Sequence, residues 1–109
     1  MSGMTRVHEI DGSPVFRMMV RMNEREIEIN KSGREHLLCP LCREPISPGT
    51  HPALLSNYKL FPNTVMHQAC EDAQGGPEAA AEKLKALHDE CKAAKEKFVP
   101  LGWMGNWPG

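Results

Sequence analysis

Between Val7 and Asn30 apolar and polar residues alternate with period two, the spacing that sends successive side chains to opposite faces of a strand. Val7 to Ile10 forms one candidate strand. Asp11-Gly12-Ser13-Pro14 reads as a turn, because Gly accepts positive φ and Pro cannot continue a ladder. Val15 to Met22 puts Phe16, Met18, Val20 and Met22 on one face and Arg17, Met19 and Arg21 on the other. After a tight turn at Asn23-Glu24, Arg25 to Asn30 alternates again, with Ile27 and Ile29 inward and Glu26, Glu28 and Asn30 outward. The pattern predicts a three-stranded antiparallel meander over residues 7–30 with one wet face. Arg17 and Arg21 would then face Glu26 and Glu28 as cross-strand pairs, worth tenths of a kcal/mol each.

The pattern changes after residue 30. Lys31 to Leu38 reads as a linker hinged at Gly33. Residues 39–62 are loop-rich and carry Pro40, Pro45, Pro48, Pro52 and Pro62, with short strands around Pro45-Ile46 and Ala53 to Lys59. Asn63 or Thr64 is a candidate N-cap for a helix over about Val65 to Gln74, stopped by Gly75-Gly76. Pro77 suits the first turn of the next helix. Glu78 to Phe98 holds no Gly or Pro and spaces Ala80, Leu84, Leu87, Cys91, Ala94 and Phe98 as one apolar seam. Residues 99–109 form an apolar, turn-rich tail with Trp103 and Trp107. The expected organisation is a disordered leader (1–6), a β-meander (7–30), a Pro-rich central module (31–76), a long amphipathic helix (77–98) and an aromatic tail (99–109). Together they make one compact α+β domain.

Composition narrows the classes. A chain of 109 residues, 40% hydrophobic and 25% charged, can bury a core but is too short for a doubly wound dinucleotide fold with a substrate domain or a (β/α)8 barrel. Thirteen Lys and Arg against fourteen Asp and Glu leave a net charge of −1, which weighs against a whole-chain basic surface. No apolar run approaches the ~20 residues of a membrane span. Met1 to Arg6 leads into no apolar signal core, so a cytoplasmic protein is expected.

Of the four cysteines, Cys39 and Cys42 flank Pro40-Leu41 in a spacing that lets two thiolates reach one ion across a tight turn. A second pair should be three apart on a rigid element, and His67 and Cys70 meet that condition on one face of the predicted helix. A thioredoxin-like redox pair would need a strand before the motif and a helix starting at it. Pro40, Pro45 and Pro48 surround the motif instead. His88 and Cys91 repeat the His-x-x-Cys spacing mid-way along the long helix and form a rival second pair. Cys91 falls on the apolar seam, where a thiol behaves as a small hydrophobe, so it is expected in the core with His88 half-exposed beside it.

Cys39-x-x-Cys42, Pro45-Ile46-x-Pro48-Gly49 and Val65-Met66-His67-x-x-Cys70 together resemble the zinc-binding half of LIM-type and related treble-clef fingers over residues 39–72, about a third of the chain. No second zinc module follows directly, so the resemblance is to a treble-clef site and not to a LIM domain. It speaks for zinc more than for any one function, because this finger is grafted into many unrelated proteins. Three thiolates and one imidazole close the coordination of a single Zn²⁺, which makes the expected zinc structural.

HNH-type nucleases also build on a treble clef, with a catalytic His on the hairpin and an Asn near the helix start. His51 and Asn63 are the matching positions here. Thr50 stands where an Asp usually precedes the general base, and Glu71 and Asp72 follow Cys70 in place of a further His or Lys. A turn at His51-Pro52 and a cap at Asn63 are the preferred readings. The expectation is a non-enzymatic interaction or regulatory module that binds a protein partner, through Trp103, Trp107 or the long helix, and behaves as a monomer or weak homodimer. A nucleic-acid-binding finger, or an active or degenerate HNH-like nuclease, is the alternative.

Overall fold

Asp11 and Gly12 both take positive φ, 51° and 80°, the backbone of a two-residue hairpin turn whose twist matches its strands. They join β1 (Thr5–Ile10) to β2 (Ser13–Met19), with Ile10 opposite Ser13 and Thr5 opposite Arg17. Residues 4–31 and 35–94 are described in the computed structural model of the chain. Thr5 and Arg6 belong to β1, where a disordered leader was expected.

The third strand of the meander is a helix instead. α1 spans Glu24–Asn30, and Asn23 caps it by accepting the Glu26 N–H on Oδ1 at 2.8 Å. Glu24 and Glu26 lie in its first turn, where negative charge suits the helix dipole. A cap and an acidic first turn outweigh an alternation carried by only two isoleucines. The helix sends those two in different directions, so Ile27 packs against the core while Ile29 is 60% exposed. Arg17 and Arg21 therefore face no strand bearing Glu26 and Glu28.

The neighbour of β2 comes from the second half of the chain. β3 (Ala53–Asn57) and β4 (Phe61–Met66) complete an antiparallel sheet in the order β1-β2-β3-β4. Met18 pairs with Leu54, and Leu54 in turn with Val65. Consecutive residues Leu54 and Leu55 are both buried, so at β3 both faces of the sheet are covered. Asn57 joins the ends of the two hairpins. Its buried amide donates to the Ser13 and Pro14 carbonyls at 3.3 and 3.1 Å, and its Oδ1 accepts the Lys59 and Leu60 N–H groups.

β4 occupies chain that the caps at Asn63 and Thr64 assigned to a helix. Val65 and Met66 are fully buried, and that burial in a ladder outweighs the capping signal. α2 starts later, at Gln68, and runs to Gln74. Gly75, at φ 112°, ends it, with its N–H on Asp72 O. α3 (Pro77–Ala93) begins on Pro77 as expected and packs against α2, β1 and β4. Its buried face is Ala80, Ala81, Leu84, His88 and Cys91. The seam is thus rotated from the expected one: His88 is buried and Leu87 is half-buried. Phe98 and the tail, with Trp103 and Trp107, lie outside the described residues. Sheet residues Val15, Leu54, Val65 and Met66, helix residues Ala80 and Leu84, and the loop residues Leu37 and Ile46 share one core.

Candidate metal centre

The first donor pair sits on a short reversal of the chain. Leu38 and Pro45 form an isolated antiparallel bridge. Inside it the Cys39 N–H donates to Glu44 O at 2.9 Å, and the Arg43 N–H donates to Cys39 O at 2.8 Å. Arg43 takes a positive φ of 66° to close the turn. The second pair sits at the mouth of α2. His67 is its N-cap residue, in extended backbone, and its carbonyl accepts the Cys70 and Glu71 N–H groups at 3.1 Å. β4 delivers His67 to that position, and the first turn of α2 brings Cys70 alongside it.

The donor atoms of Cys39, Cys42, His67 and Cys70 all lie within 4.8 Å of one another. His67 Nδ1 is 3.3 Å from Cys42 Sγ and 3.8 Å from Cys70 Sγ. A tetrahedral ion with ~2.3 Å bonds to sulfur and ~2.0 Å to nitrogen has S···N edges of about 3.5 Å. The four residues therefore fit one tetrahedral metal ion, which they could hold without a fifth ligand. Burial is graded across the set: Cys39 is buried, Cys70 intermediate and Cys42 exposed.

The surroundings orient the donors. His67 Nε2 lies 3.2 Å from Pro45 O, so that nitrogen carries the proton and Nδ1 keeps its lone pair for a metal. Cys42 Sγ accepts the Glu44 N–H at 3.4 Å, and Cys39 Sγ accepts the His67 N–H at 3.5 Å. Burial, followed by the hydrogen bonds and charges of Cys42 and Cys39, pushes the Cys70 thiol up to about 12. A dication among the sulfurs inverts that balance, because a coordinating thiol is deprotonated outright.

α2 is tied to the sheet beside the site. Glu71, next to Cys70, is 1% exposed, and Arg17 on β2 grips its carboxylate with Nε and Nη2 at 2.7 to 3.1 Å. That hydrogen bond raises the Arg17 pKa further. Gln68 Nε2 also donates to His51 O at 2.6 Å.

The rival pair does not join the cluster. His88 donates from Nδ1 to Leu84 O at 2.9 Å and accepts at Nε2 from Thr64 Oγ1, 3.4 Å away. Its ring lies 5.5 Å from that of Phe61, tilted by 38°. Burial pulls its pKa down to about 4, so it is neutral. Cys91 is buried on the same face of α3, and burial raises its pKa. His51 is exposed ahead of β3 and Asn63 is exposed on β4; neither joins the donor cluster.

Two features of the site carry no sequence signal. The Pro45 carbonyl is backbone, and Arg17 and Glu71 are 54 positions apart with no motif linking them. Among the described residues no helix is long and apolar enough to cross a membrane. Comparison of the chain with protein-family models, with curated proteins and with solved structures gives no match.

Proposed function

We propose that the chain is a treble-clef zinc protein whose Zn²⁺ is structural, and that it serves as a non-enzymatic interaction module for a protein partner. The observation that carries this reading is the closed donor set. Three thiols and one imidazole converge within 4.8 Å, and the second nitrogen of the imidazole is already engaged by Pro45 O. Zinc suits sulfur-rich tetrahedral sites and, with four protein ligands, keeps no position for substrate or activated water. The order of parts supports the treble clef: a cysteine turn bridged at Leu38 and Pro45, the β3–β4 hairpin, then α2 with the second pair.

A protein partner is favoured over nucleic acid by the net charge of −1, which offers no whole-chain basic surface, and part of the basic set is neutralised locally. Arg6, Arg17, Lys31 and Lys85 are each paired with a carboxylate, to Glu9, Glu71, Glu28 and Asp89. Meanwhile Tyr58 stands 80% exposed at the tip of the β3–β4 hairpin, the kind of rigid aromatic that anchors protein interfaces. The test is elemental analysis of the purified chain and of each ligand→Ala variant. About one zinc per chain, lost in Cys39→Ala, Cys42→Ala, His67→Ala and Cys70→Ala and kept in Cys91→Ala, is expected for one tetrahedral site. Full zinc occupancy in Cys70→Ala refutes the assignment.

A further inference from the structure

The pair Arg17–Glu71 does something that neither the ligand set nor the sequence pattern explains. A carboxylate with 1% of its surface exposed stands directly after a metal-ligating position, and its partner comes from β2, 54 positions away. Burying a carboxylate is costly unless it is paired and hydrogen-bonded. Here the pairing is bidentate, with Nε and Nη2 both bonded to it at 2.7 to 3.1 Å. Such a fork fixes direction as well as distance. A single lysine contact would not.

The fork acts on a short element. α2 has seven residues and lacks a side-chain cap on its first turn, so its own hydrogen bonds hold it weakly. Its neighbour among the helices is α3. Glu71 is bound at both ends of the residue. Its carboxylate is held by Arg17, and its N–H donates to the carbonyl of His67, a ligand position. The two second-pair donors are thus bracketed by β4 on one side and by the Arg17 fork on the other. From this geometry we infer that Arg17 and Glu71 are positioning residues for the metal centre: the pair on β2 and α2 holds His67 and Cys70 at coordination distance from Cys39 and Cys42. This rests on the zinc reading above and extends it to residues that touch no metal.

The inference predicts that metal affinity and fold stability can be separated at this pair. Replacing both partners by apolar side chains of similar volume removes the buried charges together, and such swaps often preserve stability. They cannot reproduce a directional fork. The experiment uses the full chain as wild type, Arg17→Lys, Glu71→Gln and the double variant Arg17→Met/Glu71→Leu. Zinc affinity is read by competition with a chromophoric chelator, ligand geometry by the visible d–d absorption of the Co²⁺-loaded protein, and stability by melting of the metal-free chain. The expected result is zinc binding weaker by on the order of tenfold or more in every variant, with altered Co²⁺ bands. In the double variant the metal-free melting temperature stays near that of the wild type. Arg17→Lys keeps the positive charge opposite Glu71 and removes only the bidentate geometry, and so reports on the fork even where the other variants melt early. Wild-type zinc affinity in Arg17→Lys and in the double variant overturns the inference while leaving the zinc site intact, as does affinity that merely follows melting temperature across the series. Failure of the wild-type chain to bind zinc or Co²⁺ overturns the zinc reading itself, and the inference with it.

Discussion

Acid should destabilise this protein through His88, and the size of the effect follows from where the ring sits. His88 is 1% exposed on the buried face of α3. Burial lowers its pKa from 6.5 to about 4; the Leu84 carbonyl and Asp89 oppose the shift, and Lys92 adds to it. A neutral ring satisfies its partners, with Nδ1–H on Leu84 O and Nε2 accepting from Thr64. A second ring proton would have to sit beside Phe61 in the core. In the unfolded chain the same ring takes its proton near pH 6.5. The unfolded state therefore binds more protons than the folded state through the window between pH 6.5 and about 4, and stability falls as the pH drops through it. The contribution is fully present above pH 6.5 and gone below about 4. The whole shift corresponds to about 3 kcal/mol, of which about 2 kcal/mol is lost between pH 7 and pH 5. For a domain of this size that is a fall of roughly 10 °C in melting temperature. Chemical denaturation at pH 7 and pH 5, in excess zinc, should show this extra loss in the wild type relative to His88→Leu. Both proteins keep the same metal ligands, so acid release of metal cancels in the difference. Equal pH dependence in the two proteins, or a His88 ring resonance titrating near pH 6.5, would refute the reasoning.

Other substitutions grade the core and the chemistry. Leu84→Ala should cost about 2–5 kcal/mol in equilibrium unfolding, as expected for a buried leucine, and Leu87→Ala clearly less, because α3 buries the first and only half-buries the second. Light scattering on Leu87→Asp should give the same mass as the wild type, a monomer or weak dimer. Asn57→Ala should lower stability by at least the ~1–3 kcal/mol of a buried polar group left unpaired, since one side chain serves Ser13, Pro14, Lys59 and Leu60. Plasmid DNA incubated with the zinc- or magnesium-loaded protein should stay uncut; nicking that disappears in His51→Ala would make the chain an HNH-like nuclease.

The donor cluster was legible because each half is local. Cys39 and Cys42 are brought together by one turn, and His67 and Cys70 by one helical turn, so spacing alone carries both pairs. The errors fall where local signals compete. In residues 23–30 the alternation of Ile27 and Ile29 argues for a strand, while Asn23 followed three residues later by Glu26 argues for a helix start. The cap prevails because its hydrogen bond forms within the segment, whereas a strand would have needed an edge of the sheet to pair with. At residues 61–66 the outcome is reversed. Phe61, Val65 and Met66 find a partner strand in β3, and burying them outweighs what Asn63 or Thr64 could supply as a cap.

The seam of α3 shows why some positions cannot be read at all from one chain segment. Ala80, Leu84 and Cys91 fit a helical stripe equally well with Leu87 or with His88 between them, since 3.6 residues per turn allows a step of three or of four. Hydrophobicity alone selects Leu87. The structure selects His88, because β4 places Thr64 and Phe61 opposite that ring and supplies the hydrogen bond and the aromatic contact that a buried imidazole requires. The same logic covers Arg17 and Glu71. Each looks like an ordinary surface charge until two hairpins and a helix bring the pair together across 54 positions. His88, Asn57 and Glu71 are each buried where a partner from another element meets them, and such partners are set by tertiary packing. The parts of the site that a metal binds are therefore written locally in the chain, and the parts that would hold those ligands in place are not.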